Sequence, residues 1–461
     1  MIKKGILGLG VCAMIFFSHN GLSAQTWTKL PNSGKYIKKL YSPIASPQIL
    51  VSCSDDDTLN LDKMYPFEYA VLGNGYLYSD DGGNNFHKKK LDSVSVFDIK
   101  RSVSNPNKWF AAVRYIDAGG VIVSSDNGET WNIKDKKCSS SSQITSIEEN
   151  KFAENNFYYS SIDTPEGLSS ATNGFENCIP NKTLNIQSRC ISSSQIQPGL
   201  VFAGADAVYS DGVYHSSDSG KTWSKYESGL EGLRILCVKA SSLNAGLVFA
   251  GADSAWNYGT QKFFVGKGIY VSQDTGRTWH RIGAIGSRVF DIQEHPQNPR
   301  HLAAAANTEG VFISSAAGFY WEQKNNGLPL NVNVRNVCIP NNKPDESGFI
   351  CYAGTYGDGV YKSNPVKTDV ENNGDLNIDL QAYPAPFEDR INLNWNNPKA
   401  GDCTIEIANS IGEKAFSISS FKNSGLQTVN LVLDNSLSAG AYLLTVKTTY
   451  FQTSKVIIKS R

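Results

Sequence analysis

The chain has 461 residues, too many for one ordinary core, and its 43 Lys and Arg balance its 43 Asp and Glu. That neutrality excludes the global field that drives binding to nucleic acid or an anionic membrane, so any charge logic must be local. A share of 11% aromatics and 40 glycines, without long helical periodicity, excludes an all-α fold and predicts an all-β one.

Residues 1–24 read as a signal peptide. Lys3 and Lys4 form a basic start, Gly5 to Ser18 an apolar run, and Leu22-Ser23-Ala24 a cleavage site before Gln25. The run is too short and wrongly flanked for a membrane span. Cys12 follows the bulky Val11 in mid-run, which makes a poor lipoprotein site. The mature chain is expected to be exported, without a transmembrane segment.

From residue 25 a strand–turn–strand pattern recurs: an alternating apolar strand, a turn built on Ser, Asp and Gly, then Thr-Trp. It stands at Tyr76 to Phe86 with Ser79, Asp81 and Gly83, and at Val121 to Trp131 with Ser124, Asp126, Gly128 and Trp131. It returns at Val213 to Trp223 with Ser216, Asp218, Gly220 and Trp223, and at Ile269 to Trp279 with Ser272, Asp274, Gly276 and Trp279. Asp and Ser can accept hydrogen bonds from turn amides, and the Gly supplies positive φ, so the turn closes a hairpin. The Trp is a large apolar group at a fixed offset, suited to wedging between sheets.

The glycine before each such strand marks the period: Gly75, Gly120, Gly167, Gly212, Gly268, Gly310 and Gly359, at intervals of 45, 47, 45, 56, 42 and 49. Each unit adds two upstream strands, for example 234–238 and 247–253, giving four strands per unit. Four antiparallel strands at this period predict a propeller blade, and seven markers predict seven blades. The third and sixth turns are degraded, the third lacking both Asp and Trp and the sixth lacking the Asp. The seventh unit lacks its last strand, which Thr26-Trp27-Thr28-Lys29-Leu30 would supply from the other end of the chain. Residues 25–363 are therefore expected to form one closed ring without an exposed edge.

Residues 364–379 are polar and read as a linker. The short alternating strands of 380–461 fit a small β-sandwich. Eight cysteines remain beyond Cys12. Cys237 and Cys338 are read as one register two blades apart, and Cys53 and Cys351 sit in apolar strand runs. Mostly buried thiols with one or two bridges are expected. No CxxC or HExxH occurs, so neither a metal site nor a cofactor is predicted.

The repeated turns make 25–363 resemble the Asp-box (BNR) propellers, which include sialidases, xyloglucanase-type glycosidases, sortilin-like receptors and a photosystem II assembly factor. The resemblance implies the fold and leaves the activity open. Residues 380–461 resemble the type A sorting domain of the Bacteroidetes type IX secretion system, on Tyr383-Pro384-Ala385-Pro386-Phe387, Ile411 to Lys414, Leu437 to Leu443 and Lys455 to Lys459. Ala385 departs from the Asn usual in that family. The resemblance implies handling by the type IX machinery and delivery through the periplasm to the outside or the outer-membrane surface.

In a propeller the inner strands line a central channel. At their starts stand Arg189, Arg234, Arg288 and Arg335, read as one register, with Lys35 at the matching place in the first blade and Ser95 and Gln143 in the next two. Such a cationic mouth would attract carboxylates, sulfates or phosphates. Alternatively each Arg pairs with an acid of a neighbouring loop, for which Asp206, Asp253 and Asp358 are available. Two insertions lie on the same face. Ser54 to Ala70 carries Asp55, Asp56 and Asp57 without the spacing of a calcium loop, and Ser254 to Lys267 carries Trp256 and Tyr258, suited to sugar or protein contact.

These readings predict a secreted or surface-attached monomer acting as a binding or scaffolding module for an extracellular glycan or protein, with Lys35, the four arginines, Trp256 and Tyr258 as ligand-binding candidates. The alternative is a glycoside hydrolase, sialidase-like or xyloglucanase-like, with two carboxylates among Asp206, Asp253, Glu309 and Asp358. Against it, the Arg-Ile-Pro motif of sialidases is absent, and a xyloglucanase cleft needs two propellers.

Overall fold

The computed structural model describes residues 26–460 apart from 56–73, 90, 92–93, 115–118, 134–143, 163–166, 182–183, 185, 207–210, 227, 243, 245, 255–264, 316, 319–320, 343–347, 366–379, 385, 398–399, 410–412, 434–436 and 449–451. The proposed signal peptide and linker, the acidic run at 55–57 beyond Asp55, and Trp256 and Tyr258 lie outside the described residues.

Seven units of four antiparallel strands follow one another along 26–363. Five form separate four-stranded sheets, and the first two blades share an eight-stranded sheet through a short parallel pairing of Asn74 and Gly75 with Val94 and Ser95. The second strand of each blade is built from small and branched apolar residues because it is packed on both faces. Trp109–Arg114, Val201–Ala205 and Val248–Ser254 are almost wholly buried. The approach is close enough to demand glycine: a Cβ on Gly204 would stand 2.5 Å from Ile235 of the next blade, and one on Gly251 would stand 2.5 Å from the Val289 carbonyl.

The Asp turns form as expected and carry one feature the pattern does not disclose. In the turn at 216–223 the Ser216 hydroxyl accepts from the Gly220 amide at 2.8 Å, Asp218 accepts from the Thr222 amide at 2.9 Å, and the Trp223 indole donates to the Gly220 carbonyl at 3.0 Å. The same bonds recur around Asp126 and Asp274, and their Ser and Asp part around Asp81. Two successive residues take positive φ, Ser219 with Gly220 and Thr275 with Gly276. A β-branched residue there is an outlier that the surrounding bonds must hold. In the degraded third turn Asn173, Gly174 and Phe175 all take positive φ. Buried Phe175 stacks on Phe157 at 4.8 Å.

The ring closes as the orphan strand predicts. Trp27–Lys29 pairs antiparallel with Val360–Ser363 as the outer strand of the seventh blade. Beyond it, a three-stranded sheet (Gln381–Tyr383, Arg390–Asn397, Gly425–Val432) faces a four-stranded one (Lys414–Lys422, Gly401–Ala408, Gly440–Thr448, Gln452–Lys459). Trp395, Ile405, Leu431 and Leu444 fill the core between them.

Among the described cysteines, Cys53, Cys190, Cys237, Cys338, Cys351 and Cys403 are thiols outside any disulfide and Cys178 is in a disulfide. The reading of Cys237 and Cys338 as one register is corrected by the strand pairing. Cys237 opposes Gly251 and is equivalent to Cys190 opposite Gly204, whereas Cys338 lies two residues beyond the equivalent Asn336 opposite Gly354.

Candidate functional site

Every inner strand carries a β-bulge at the same place. The register slips between Ile37 and Lys39, Val96 and Asp98, Ile144 and Ser146, Ser188 and Cys190, Ile235 and Cys237, Val289 and Asp291, and Val334 and Asn336. A bulge leaves its extra residue unpaired and re-aims the side chains around it. The bulged residues are Lys38, Phe97, Thr145, Arg189, Leu236, Phe290 and Arg335. Arg234 and Arg288 stand two residues earlier, so the four arginines occupy two registers rather than one. Lys35 stands outside both. It is exposed in the preceding loop, with its ammonium 5.2 Å from the centroid of the Tyr36 ring.

The two registers interlock around buried aspartates. Asp206 follows the second strand of blade four, forms an ion pair with Arg189 at 2.9 Å and accepts from the Nε of Arg234 in the next blade. Asp253 holds the equivalent place in blade five and meets Arg288 at 3.0 Å and Arg234 at 3.8 Å. The result is a continuous chain, Arg189–Asp206–Arg234–Asp253–Arg288, that ties three blades together. Both aspartates and Arg234 are buried, while the side chains of Arg189 and Arg288 keep 17% and 23% exposure to the channel. Burial pushes the Asp253 carboxyl above its ordinary range, against the opposing pull of Arg234 and Arg288.

From Arg288 the mouth continues as a stack of cations and rings. Arg288 lies 5.1 Å and Arg335 4.1 Å from the Phe290 centroid. Arg335 also covers Tyr356 at 5.1 Å, and Tyr356 meets Tyr36 edge-on at 5.1 Å. The Asn333 side chain accepts from the Arg335 Nε at 3.0 Å and fixes its plane. Guanidinium groups held over rings are pre-organised and remain charged.

Below the mouth a second polar layer lines the same cavity, of about 450 Å³. Sequence reasoning missed it. Lys39 and Asp291 stand 3.9 Å apart, and Lys100 and Glu148 3.6 Å apart. Asp98 accepts from the Ile147 amide at 3.0 Å and Ser146 at 3.2 Å, and Asp291 from Gln293 at 2.8 Å. Burial opposes the charge on Lys39 and on Lys100, but the carboxylates around them more than offset it and raise both lysines. The repeated tetrads Phe97-Asp98-Ile99-Lys100 and Phe290-Asp291-Ile292-Gln293 are the signal that marks this layer in the sequence.

The remaining candidates stand apart from the channel lining. Asp358 is bound by Lys29 at 2.5 Å and accepts from the Tyr361 hydroxyl. Glu309 offers its backbone carbonyl to Gln323 at 2.6 Å and Asn325 at 2.7 Å. No group of three or more metal-ligating side chains, and no helix long and apolar enough to cross a membrane, occurs among the described residues.

Residues 381–460 match the family described as the secretion system C-terminal sorting domain. The chain therefore carries an export domain. That domain implies handling by the type IX secretion machinery and secretion across the outer membrane, to the cell surface or outside. No curated protein matches the chain in sequence.

Among solved structures, the GH74 enzyme of Niastella koreensis is similar with a TM-score of 0.54 at 10% identity, over 93% of this chain and 74% of its own. PorZ, described as an essential surface component of the type-IX secretion system of Porphyromonas gingivalis, gives 0.50 at 16% identity over 93% of this chain. The chain spans 60% of PorZ's length. YCF48 from Cyanidioschyzon merolae gives 0.49 at 11% identity, over 74% of this chain and 98% of YCF48. At these identities the similarity to the first two is one of fold, that of a propeller.

Proposed function

We propose that this exported propeller is a binding module, not an enzyme, that holds an anionic extracellular ligand, glycan or protein, at the mouth of its channel. We further propose the division of the chain into signal peptide, ring, linker and sorting domain at 24, 363 and 379. One observation carries the binding reading. Eight cationic side chains and three carboxylates line the cavity, and counting buried Asp206 and Asp253 still leaves three positive charges in excess there on a chain whose net charge is zero. Charge focused between protein walls raises the local concentration of counter-charged ligands. Under this reading Asp206 and Asp253 position arginines and are not an acid and a nucleophile.

The test is a titration of the mature chain with sulfated, uronate-bearing and neutral oligosaccharides and with acidic and neutral peptides, at low and high salt. Salt-sensitive binding confined to the anionic members supports the reading. Binding of neutral ligands alone, or turnover of any glycan at catalytic rates, overturns it.

A further inference from the structure

The channel changes character along its length. At the mouth four arginines and Lys38, which shares the bulge register of Arg189 and Arg335, stand against two aspartates, whereas in the layer below three lysines (Lys39, Lys100 and Lys239) stand against Asp98, Glu148 and Asp291. The upper layer is cationic and the lower one is balanced. The ion pairs differ in the same sense. Arg189 and Asp206 meet at 2.9 Å and Arg288 and Asp253 at 3.0 Å, but the lower lysines stand 3.6–3.9 Å from their carboxylates, beyond direct hydrogen-bond length. Lys39 and Lys100 keep 22% and 23% side-chain exposure, and both line the cavity.

A loosely paired ammonium and carboxylate facing one cavity suit a particular guest. A hydroxyl accepts from the ammonium and donates to the carboxylate at once, which a second anion, having no proton to give, cannot do. A cavity of about 450 Å³ is of small-molecule size. Each bulged strand is paired with the second strand of its own blade and packed against the inner strands of the neighbouring blades, so the groups are held before a ligand arrives.

We infer that the channel takes a terminal acidic sugar of the hexuronate class end-on, its carboxylate among the arginines of the mouth and its ring hydroxyls among Lys39, Lys100, Asp98 and Asp291 below. This inference deepens the binding reading above and rests on it. An acidic peptide end carries the carboxylate without the polyol, and has no use for the mixed lower layer.

The experiment is calorimetry on the mature chain with four probes: a glucuronate-terminated disaccharide, its glucose-terminated counterpart, cyclohexanecarboxylate, and an acidic peptide with a free C-terminal carboxylate. The glucuronate probe is expected to bind about tenfold or more tighter than each of the others. The variants Lys39→Gln and Lys100→Gln are expected to bring glucuronate down towards the level of cyclohexanecarboxylate while weakening the latter much less, by the loss of one distant charge alone. A lysine with a merely structural role would weaken both probes together, and that result overturns the inference. Equal binding of glucuronate and cyclohexanecarboxylate by the wild type, or preference for the peptide, overturns it while leaving anion binding in place. Failure of every anionic probe to bind removes the reading on which it rests. The wild-type comparison decides the matter even if a variant does not fold.

Discussion

Trp27 lies opposite Ser363 in the antiparallel ladder that closes the ring, and its indole donates to the Lys324 carbonyl at 2.7 Å. The first strand of the propeller is thus the last strand of its seventh blade. Trp27 is buried in a cluster with Val311, Val334 and Tyr361. Trp27→Ala is expected to cost about 3–5 kcal/mol, the usual range for emptying a buried aromatic site. Removing residues 26–30 is expected to expose the edge of Val360–Ser363 and cause aggregation. Urea denaturation and light scattering measure the two effects, and unchanged behaviour of both variants would contradict the closure.

The arginine–aspartate chain sets Asp253 and Asp206 apart from Asp358. Asp253→Ala leaves buried Arg234 and partly buried Arg288 without a shared partner and is expected to destabilise by about 3–5 kcal/mol. Asp206→Ala should behave likewise through Arg189 and Arg234. Asp358→Ala breaks a more exposed pair with Lys29, with side-chain exposures of 37% and 52%, and is expected to cost less than about 1 kcal/mol. Urea midpoints of the three variants check the ranking.

Much of the fold was legible because propeller blades repeat. The marker glycines gave the blade count, and the orphan Thr26-Trp27 gave the closure, since one period-two strand was missing at one end and present at the other. The arrangement of the site was less legible. A single-residue bulge leaves no trace in apolar alternation, yet it shifts Arg189 and Arg335 away from the register of Arg234 and Arg288. The aspartates offered as possible partners were right for Asp206 and Asp253 because both end a buried Gly-Ala strand. Asp358 follows a different turn and meets Lys29 instead. Asp98 and Asp291 were overlooked because each sits inside an apolar run, where a lone charge reads as an interruption and not as a layer, and Lys39 and Lys100 because each adjoins a second cation, Lys38 and Arg101, and reads as surface.

Two acid transitions are expected. Burial, with His295 and Arg300 nearby, pushes His301 down to about 4. Its unfolded form, with an ordinary value of 6.5, binds the proton first, so stability is lost as pH falls from about 6.5 towards 4. The Asn85 amide holds Asp81, and the Thr130 hydroxyl holds Asp126, at about 2. Their contribution is complete above the ordinary 3.8 and is lost as pH falls towards 2. His301→Phe, which keeps a ring against Phe349, is expected to reduce the loss in the first window, to which His215, His280 and His295, also pushed down by burial, contribute the rest, and to leave the second. Urea midpoints measured between pH 7 and 2 would show it.

Export is expected to depend on the last strand. Gln452–Lys459 pairs with Gly440–Thr448, the Phe387 amide donates to the Ile458 carbonyl at 2.8 Å, and the Ser460 amide returns a bond to Phe387 at 2.8 Å. Deleting residues 455–461 removes most of this edge. In a type IX-competent host the truncated protein is expected to accumulate in the periplasm. Immunoblots of periplasmic and surface fractions test it, and undiminished surface delivery would contradict it.

The central claim is that the channel mouth binds anions through arginines held on bulged strands. The most direct measurement is equilibrium binding of a uronate-bearing oligosaccharide by the mature chain and by the double variant Arg288→Ala with Arg335→Ala, which spares buried Arg234. Each charge-assisted contact contributes about 1.5–3 kcal/mol, so the account predicts about a hundredfold loss or more, with the remaining affinity less sensitive to salt. Equal affinity and equal salt dependence in the two proteins would contradict it.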